Sequence, residues 1–287
     1  MPDASASLTE LLALLDLERL DDDLFRGQSP DDFRQRVFGG QVAGQALVAA
    51  GRTVEPERRV HSLHAYFLRP GDPKVPIIYS VDRIRDGRSF ATRRVVAVQH
   101  GKAIFNLAAS FTAGEPGMEH QVDAPDVPRA EDLPPLADAL AEHADNPVVS
   151  WVSTSPIELR YAGAHPLLVE PGVAHEPRTS VWLRAAGVLP DDPLLHVCVV
   201  TYASDITLLD SALLAHGKAW GRNEVVGASL DHAMWFHREF RADDWLLYDQ
   251  ESAIATSGRA LAEGRIFTAD GRLAVTVVQE GLMRTPR

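Results

Sequence analysis

The chain has 287 residues, of which 45% are hydrophobic, and 28 Lys and Arg against 40 Asp and Glu give it a formal net charge of −12. This charge argues against a general affinity for nucleic acid or anionic membranes. The single cysteine, Cys198, excludes an intramolecular disulfide and a cysteine-based zinc site. Because it lies in the apolar run HVCVVTY, we expect it to be a buried small hydrophobic residue.

The first part of the chain predicts two helices and a set of strands. Residues 7–20 form an amphipathic pattern typical of a short helix, and LFRGQS from Leu24 is a candidate edge strand. The segment FGGQVAGQALVAAG, residues 38–51, predicts a buried helix, because its small residues lower helix propensity and favour close packing against a surrounding sheet. Alternating apolar and polar residues predict four strands, near 60–68, 76–84, 91–99 and 103–112.

The composition changes abruptly after this first unit. Residues 114–147 contain six prolines, nine acidic residues and one arginine, which is typical of a linker. Beyond it, PIELRY and SVWLRAAG are strand-like, and HVCVVTYA leads into SDITLLDSALLAHG. We interpret that last segment as the second unit's helix, with Ser204 or Asp205 as N-cap and Gly217 just past its end. Four more strands are predicted, near 224–236, 245–254, 258–268 and 272–284.

The two parts of the chain resemble each other. His64, Ala65 and Phe67 match His232, Ala233 and Trp235 at a spacing of 168 (232−64), and matching strands and turns follow at spacings of 169 and 170. An internal repeat of this kind indicates a duplicated unit. We therefore predict an N-terminal unit at 1–113 with the N-terminal helix, a linker at 114–150 and a C-terminal unit at 151–287. Each unit is predicted to be a helix followed by an antiparallel meander, an α+β arrangement whose two sheets could pair edge to edge.

Several long motifs carry a resemblance to a known family. They include VFGGQVAGQAL, HSLHAYFLRPGD, PIIYSVDRIRDGRSFATRRV, YASD, DHAMWFHREF and VQEGLMR. The chain resembles the type II acyl-CoA thioesterases (TesB-like), and the resemblance covers nearly its whole length. It implies a double hotdog fold, hydrolysis of fatty acyl-CoA to free fatty acid and coenzyme A, and no organic cofactor or metal. It also implies that a hydrolytic water is held by Asp205, Ser229 and Gln279, all of which we predict to lie in the C-terminal unit.

The three residue types fit this chemistry. Thioester hydrolysis needs a water aimed at the carbonyl carbon and donors for the oxyanion. Asp205 can accept a proton at neutral pH, whereas Ser229 and Gln279 can orient water. As alternatives, Asp205 could be a plain helix cap, Ser229 an ordinary strand hydroxyl and Gln279 an exposed strand residue. Because the repeat does not duplicate these polar groups, we predict one active centre per chain.

Two other kinds of site are disfavoured. Ser229, Asp231 and His232 lie close together in the sequence, but side chains on a strand alternate between faces and no GxSxG turn is present, which argues against an acyl-serine mechanism. The histidine pairs His61/His64 and His232/His237 lack the HExxH arrangement of a zinc site and are interpreted as core or turn histidines.

Substrate-binding residues are predicted in the N-terminal unit. Backbone N–H groups at a helix start suit an oxyanion, and the helix start at residues 38–41 supplies them: Phe38, Gly39, Gly40 and Gln41. Arginine suits the phosphates of coenzyme A, and the candidates are Arg69, Arg85 and Arg88, each of which could instead lie on a solvated strand face.

Two other functions stay open at this point: a non-catalytic acyl-CoA binding protein, and a hotdog acyl-CoA hydratase or dehydratase. The hydratases rely on an Asp and His pair in an Asn-containing motif, which this sequence lacks. We expect a cytoplasmic protein, since no long apolar run or basic leader is found and the terminal TPR is not a peroxisomal address. Because open sheet edges favour pairing, we also expect a homodimer or homotetramer.

Overall fold

The computed structural model describes residues 4–30, 36–221 and 225–285. In this part of the chain the first unit begins with a helix and a short hairpin, continues with a buried helix, and ends with four long strands. These elements are α1 Ala4–Leu15, β1 Glu18–Asp21, β2 Leu24–Gly27, α2 Gly39–Gly51, β3 Arg59–Phe67, β4 Ile77–Asp86, β5 Phe90–Gln99 and β6 Lys102–Thr112.

The segment after β6 is mostly irregular, with 3-10 turns at Ala130–Asp132 and Ala141–His143 and the short helices α3 Leu136–Ala139 and α4 Pro147–Ser153. It packs on the second unit's sheet, where Ala130 joins a buried cluster containing Trp182. The Trp182 indole donates a hydrogen bond to the Pro128 carbonyl (2.9 Å). The predicted linker thus contacts the second unit at Pro128 and Ala130.

The second unit repeats the same plan. Its elements are β7 Ile157–Tyr161, β8 Arg178–Ala185, α5 Pro193–Ser204, α6 Asp210–Leu214, β9 Val226–Ser229, β10 Asp231–Phe236, β11 Leu246–Thr256, β12 Arg259–Thr268 and β13 Leu273–Arg284.

The described strands form one antiparallel sheet in the order β1-β2-β4-β5-β6-β3-β10-β13-β12-β11-β8-β7, with β9 paired to β13. The two units join where β3 pairs with β10, with Ala65 opposite His232 and Leu63 opposite Met234. This confirms the predicted edge-to-edge pairing and, with one central helix to each half of the sheet, the double hotdog fold class. The strand order differs from the predicted meander. Strand β3 pairs with β6 and not with β4, and this places β3 at the junction of the two units.

The two central helices lie antiparallel and very close. A side chain on Gly40 would collide with the Tyr202 carbonyl, and one on Gly44 would begin 3.2 Å from the Cys198 carbonyl. Gly40 and Gly44 therefore allow close contact with α5, which corrects the expectation that the small residues of α2 serve packing against the sheet. Cys198 is fully buried, as predicted, and burial raises the pKa of its thiol.

The predicted position of the second central helix is wrong. The helix starts at Pro193, with the Asp192 carboxylate accepting from the Leu194 N–H (2.9 Å), and it ends at Ser204. Asp205 thus follows the C-terminus of α5 and is not an N-cap. Residues 198–204 are all buried, so this helix has no polar face and lacks the periodicity that signals an amphipathic helix.

The register of the repeat also needs a correction. His64 is exposed on the outer face of β3, whereas His232 points inward and is 1% exposed. Since neighbouring residues of a strand lie on opposite faces, the match at a spacing of 168 pairs an outward with an inward residue. A spacing of 169 (232−63) aligns His232 with the buried Leu63 and preserves the face.

Candidate active site

The structure brings Asp205, Ser229 and Gln279 together, although they lie far apart in the sequence. The Ser229 hydroxyl donates to Asp205 Oδ1 (2.8 Å). Gln279 Nε2 donates to the same Oδ1 (2.8 Å) and to Ser229 Oγ (2.7 Å). Ser229 therefore donates one hydrogen bond and accepts another, and Asp205 Oδ1 accepts two. The three side chains form a closed triangle in which one oxygen of the carboxylate is held.

Three different elements position these groups. Asp205 directly follows the last residue of α5, Ser229 is the last residue of β9, and Gln279 points inward from β13 and is 1% exposed. Strand β9 pairs with β13 so that Ser229 lies opposite Gly281, two residues beyond Gln279. The sheet therefore fixes the separation of the hydroxyl and the amide, and the end of the helix supplies the acid.

The second carboxylate oxygen, Oδ2, faces the start of α2. A Cβ atom built on Gly39 would lie 2.6 Å from it. Helix α2 has no side-chain cap at its N-terminus. Because the partial positive charge of a helix lies at that end, α2 stabilises an anion here, while the C-terminus of α5 opposes one. The favourable helix dipole at Asp205 thus comes from the neighbouring helix α2.

His232 is a site residue that the sequence interpretation missed. Its Nδ1 lies 2.7 Å from Gln279 Oε1 and its Nε2 lies 2.9 Å from Ser204 Oγ. Burial lowers the pKa of His232, so the ring is neutral near pH 7. Since an amide oxygen only accepts, the proton lies on Nδ1, and this bond fixes which end of the Gln279 amide faces Asp205. The signal in the sequence that could have identified His232 was a polar residue at a strand position that faces inward.

A cavity of about 480 Å³ opens onto the carboxylate and the hydroxyl. Its walls are mostly apolar, with two arginines, Arg36 and Arg69, among the lining residues. The lining is Arg36, Val37, Phe38, Gly39, Val42, Phe67, Leu68, Arg69, Pro70, Gly71, Ile104, Phe105, Asp205, Ile206, Leu209, Trp220, Gly227, Ala228, Ser229 and Leu230.

The predicted binding residues fall into two groups. Phe38, Gly39 and Arg69 line this cavity, and Gly40 and Gln41 follow in the first turn of α2. The Gln41 side chain is buried and donates to Gln28 O and Ser29 Oγ (both 3.0 Å).

Arg85 and Arg88 lie at the turn between β4 and β5 and are not among the residues that line the cavity. Arg36, which does line the cavity, was not among the arginines selected from the sequence.

Among the residues that the structure describes, the first unit has no comparable site. The position corresponding to His232 is Leu63, and the one corresponding to Gln279 is Ala109 at a spacing of 170. Arg93, opposite Ala109 in the sheet, fills the space and is 1% exposed. Its guanidinium donates to Thr53 Oγ1 (2.8 Å) and Thr53 O (3.0 Å), just beyond the end of α2. An internal arginine thus occupies the place that the polar triangle occupies in the second unit, which fits one centre per chain.

We expect Arg93→Ala to lower the free energy of unfolding by about 3 kcal/mol, because it leaves a cavity and unpaired buried groups. Activity per folded molecule should stay unchanged. Arg94→Ala is the matched control: its ion pair with Asp82 is exposed and should contribute at most about 1 kcal/mol. Urea denaturation of both variants measures the difference, and equal losses would contradict a structural role specific to Arg93.

Two family models match parts of this chain. Residues 157–282 match a family model described as acyl-CoA thioesterase, and residues 29–112 match one described as acyl-CoA thioesterase N-terminal domain. Mouse acyl-coenzyme A thioesterase 8 is 43% identical over 98% of this chain and 92% of its own length. The chain belongs to the acyl-CoA thioesterase family.

Solved structures support the same assignment. The crystal structure of an acyl-CoA thioesterase II, TesB2, from Mycobacterium marinum has a TM-score of 0.79 and 46% identity, covering 96% of this chain and 98% of its own. A protein of unknown function with a hot dog fold from Alicyclobacillus acidocaldarius has a TM-score of 0.77 at 20% identity, covering 97% and 99%, and supports the fold alone. The double hotdog fold of this thioesterase thus agrees with solved relatives.

The described part of the thioesterase shows neither a cluster of metal ligands nor a helix that could span a membrane. Within the described residues, no group of three His, Cys, Asp or Glu side chains is placed to hold a metal ion. Among the helices at 4–30, 36–221 and 225–285, none is long and apolar enough to cross a membrane.

Proposed function

We propose that this thioesterase hydrolyses fatty acyl-CoA at the Asp205, Ser229 and Gln279 triangle, with water as the nucleophile. The observation that carries the proposal is the sharing of hydrogen bonds: both Ser229 and Gln279 donate to Oδ1 of Asp205. Oδ2 lies on the side of the cavity and of Gly39, where it can accept a proton from a bound water. The bonds on Oδ1 hold the carboxylate in that orientation.

The reaction then proceeds in two steps. Asp205 takes a proton from the water as its oxygen attacks the thioester carbonyl carbon, which gives a tetrahedral oxyanion. Collapse of this intermediate breaks the carbon–sulfur bond, and the proton held by Asp205 passes to the leaving thiolate. The products are the free fatty acid and coenzyme A, and the carboxylate is regenerated.

The oxyanion is proposed to accept hydrogen bonds from the first backbone N–H groups of α2, at Gly39 and Gly40. The first turn of a helix leaves its N–H groups without intrahelical acceptors, and donors aimed at the developing charge are the largest single contribution in many acyl-transfer enzymes. The side chain of Phe38, the N-cap residue, makes no capping hydrogen bond to them.

Coenzyme A is proposed to enter from the end of the cavity that Arg36 and Arg69 line. Arg69 is anchored by a hydrogen bond to the Ala103 carbonyl (2.6 Å). A role for Arg85 and Arg88 in binding phosphate stays a prediction, as do the cytoplasmic location and the homodimer or homotetramer. Further assembly is supported by the two edge strands of the sheet that the described residues form, β1 and β7, because each has one unpaired edge.

The direct test is release of free thiol by the purified protein from butyryl-, octanoyl-, lauroyl- and palmitoyl-CoA, followed with a thiol reagent. We expect turnover with at least one of them and recovery of the matching free acid. Binding of acyl-CoA without thiol release would favour the non-catalytic binding protein. Water addition to an enoyl-CoA with the thioester intact would favour the hydratase.

A further inference from the structure

The lining of the active-site cavity combines two kinds of residue. Arg36 and Arg69 are its two arginines, and the second unit contributes uncharged residues: Ile206, Leu209, Trp220, Gly227 and Ala228. Since coenzyme A carries phosphates and the acyl chain is apolar, the arginines suit the phosphates and these uncharged residues suit the acyl chain. The part of the cavity that these second-unit residues line is called its apolar end below.

Trp220 lines this apolar end. A Cβ atom built on Gly227 would begin 2.5 Å from the Trp220 ring, so the indole packs directly against β9 at that glycine. Gly227 and Ser229 lie two residues apart on the same face of this strand, which places the ring about 7 Å along β9 from the Ser229 position. The indole is thus near enough to limit an acyl chain that starts at the triangle.

A second cavity lies directly behind Trp220. It has a volume of about 30 Å³, and Trp220 and Ile206 line both it and the active-site cavity. Its other walls include Leu159, Tyr161 and Leu167, which do not line the active-site cavity. The indole is therefore part of the wall between the substrate cavity and a small space deeper in the second unit, whose lining also includes Asp210.

The indole is fixed by a buried carboxylate that the proposed mechanism does not use. Trp220 Nε1 donates to Asp210 Oδ1 (2.6 Å), and the Tyr161 hydroxyl donates to Oδ2 (2.6 Å). Asp210 is 5% exposed. A buried carboxylate is costly unless its partners are well placed, and this one holds the indole in a single orientation. Asp210 is thus a positioning residue for Trp220.

We propose that Trp220, held by Asp210, sets the acyl chain length that this thioesterase accepts by closing the apolar end of the cavity. The inference rests on the proposed function, because it assumes that the chain is hydrolysed at the Asp205 triangle. Removing the indole joins the two cavities and lengthens the space for the chain.

The test compares kcat/KM for octanoyl-CoA and palmitoyl-CoA in wild type, Trp220→Ala and Trp235→Ala. Trp235 packs edge-on against His64 on the outer face of the sheet and is the control for the same substitution away from either cavity. We expect the palmitoyl-to-octanoyl ratio to rise by about tenfold or more in Trp220→Ala, since each accommodated methylene adds binding energy. The ratio should stay at the wild-type value in Trp235→Ala.

Trp220→Phe covers the case in which Trp220→Ala does not fold, as judged by thermal unfolding. It keeps an aromatic ring but loses the donor to Asp210, and it should give an intermediate ratio. A wild-type ratio in whichever of the two variants folds overturns the inference while leaving the proposed function intact. No thiol release from any acyl-CoA by the wild type overturns the proposed function, and the inference with it.

Discussion

Asp205→Asn should lower kcat for acyl-CoA hydrolysis by about a hundredfold or more while leaving substrate binding almost unchanged. The asparagine carbonyl can still accept from Ser229 and Gln279, because both now donate to Oδ1. Its Nδ2 replaces the oxygen that faces the cavity and cannot take a proton from water. General base catalysis is commonly worth between about a hundredfold and ten-thousandfold in rate, so the loss appears in kcat.

The matched control is Asp231→Asn. Asp231 is also a carboxylate near the site, but its Oδ1 accepts from the Glu280 backbone N–H (2.8 Å), a bond that an asparagine oxygen can keep. We expect nearly wild-type turnover from this variant. Steady-state thiol release gives kcat, and calorimetry with a non-hydrolysable acyl-CoA thioether gives binding. Turnover near wild type in Asp205→Asn would remove Asp205 from the mechanism.

The meeting of the three polar residues could not be predicted from local patterns. They are separated by 24, 50 and 74 residues along the chain, and each one alone is an ordinary residue in a cap or a strand. Asp205, Ser229 and Gln279 were selected because their motifs resemble those of a family. What the local sequence did provide was the strands, whose strict alternation gives a clear signal.

The sequence pattern placed the second central helix too far along the chain, and there is a physical reason for this error. Helix α5 is buried from Cys198 to Ser204 and packs on α2, so polar residues do not mark an outer face, and the run HVCVVTYA carries no helical periodicity. The local start signal was present, since Asp192 caps the helix and Pro193 occupies its first turn. Weighing that signal above the apolar pattern would have placed Asp205 at the end of the helix.

His232 was interpreted from the sequence as a core or turn histidine, because the histidine pairs lack a zinc-site arrangement and side chains on a strand alternate between faces. Its burial fits a core histidine, but its bond to Gln279 was not foreseen. The register of β3 against β10 was needed to see that His232 points inward, toward Gln279. Pairing registers depend on contacts distant in sequence, which composition and spacing do not contain.

Gly39→Ala is expected to abolish most of the activity without unfolding the protein. The added Cβ would lie 2.6 Å from Asp205 Oδ2 and 2.9 Å from the Phe67 ring, which is closer than van der Waals contact permits. The carboxylate must then rotate away, which disrupts its bonds to Ser229 and Gln279. Since a displacement of about 1 Å in an active site can cost about a hundredfold in rate, we expect a loss of that size in kcat.

Stability should behave differently from activity. Alanine has a higher helix propensity than glycine, by up to about 1 kcal/mol, and the group that it displaces is the mobile end of a side chain. We therefore expect the melting temperature of Gly39→Ala to stay close to that of the wild type. Gly40→Ala should instead lower it, because the methyl group would meet the rigid Tyr202 backbone carbonyl.

Gly117→Ala is the control for the substitution itself, since a Cβ at that position has no heavy atom of the described residues within 4 Å. It should leave both kcat and melting temperature at wild-type values. Thiol release and differential scanning fluorimetry on the three variants separate the effects. Wild-type kcat in a folded Gly39→Ala protein would mean that Asp205 works from another position, and the carboxylate could not then be the base that acts beside the start of α2.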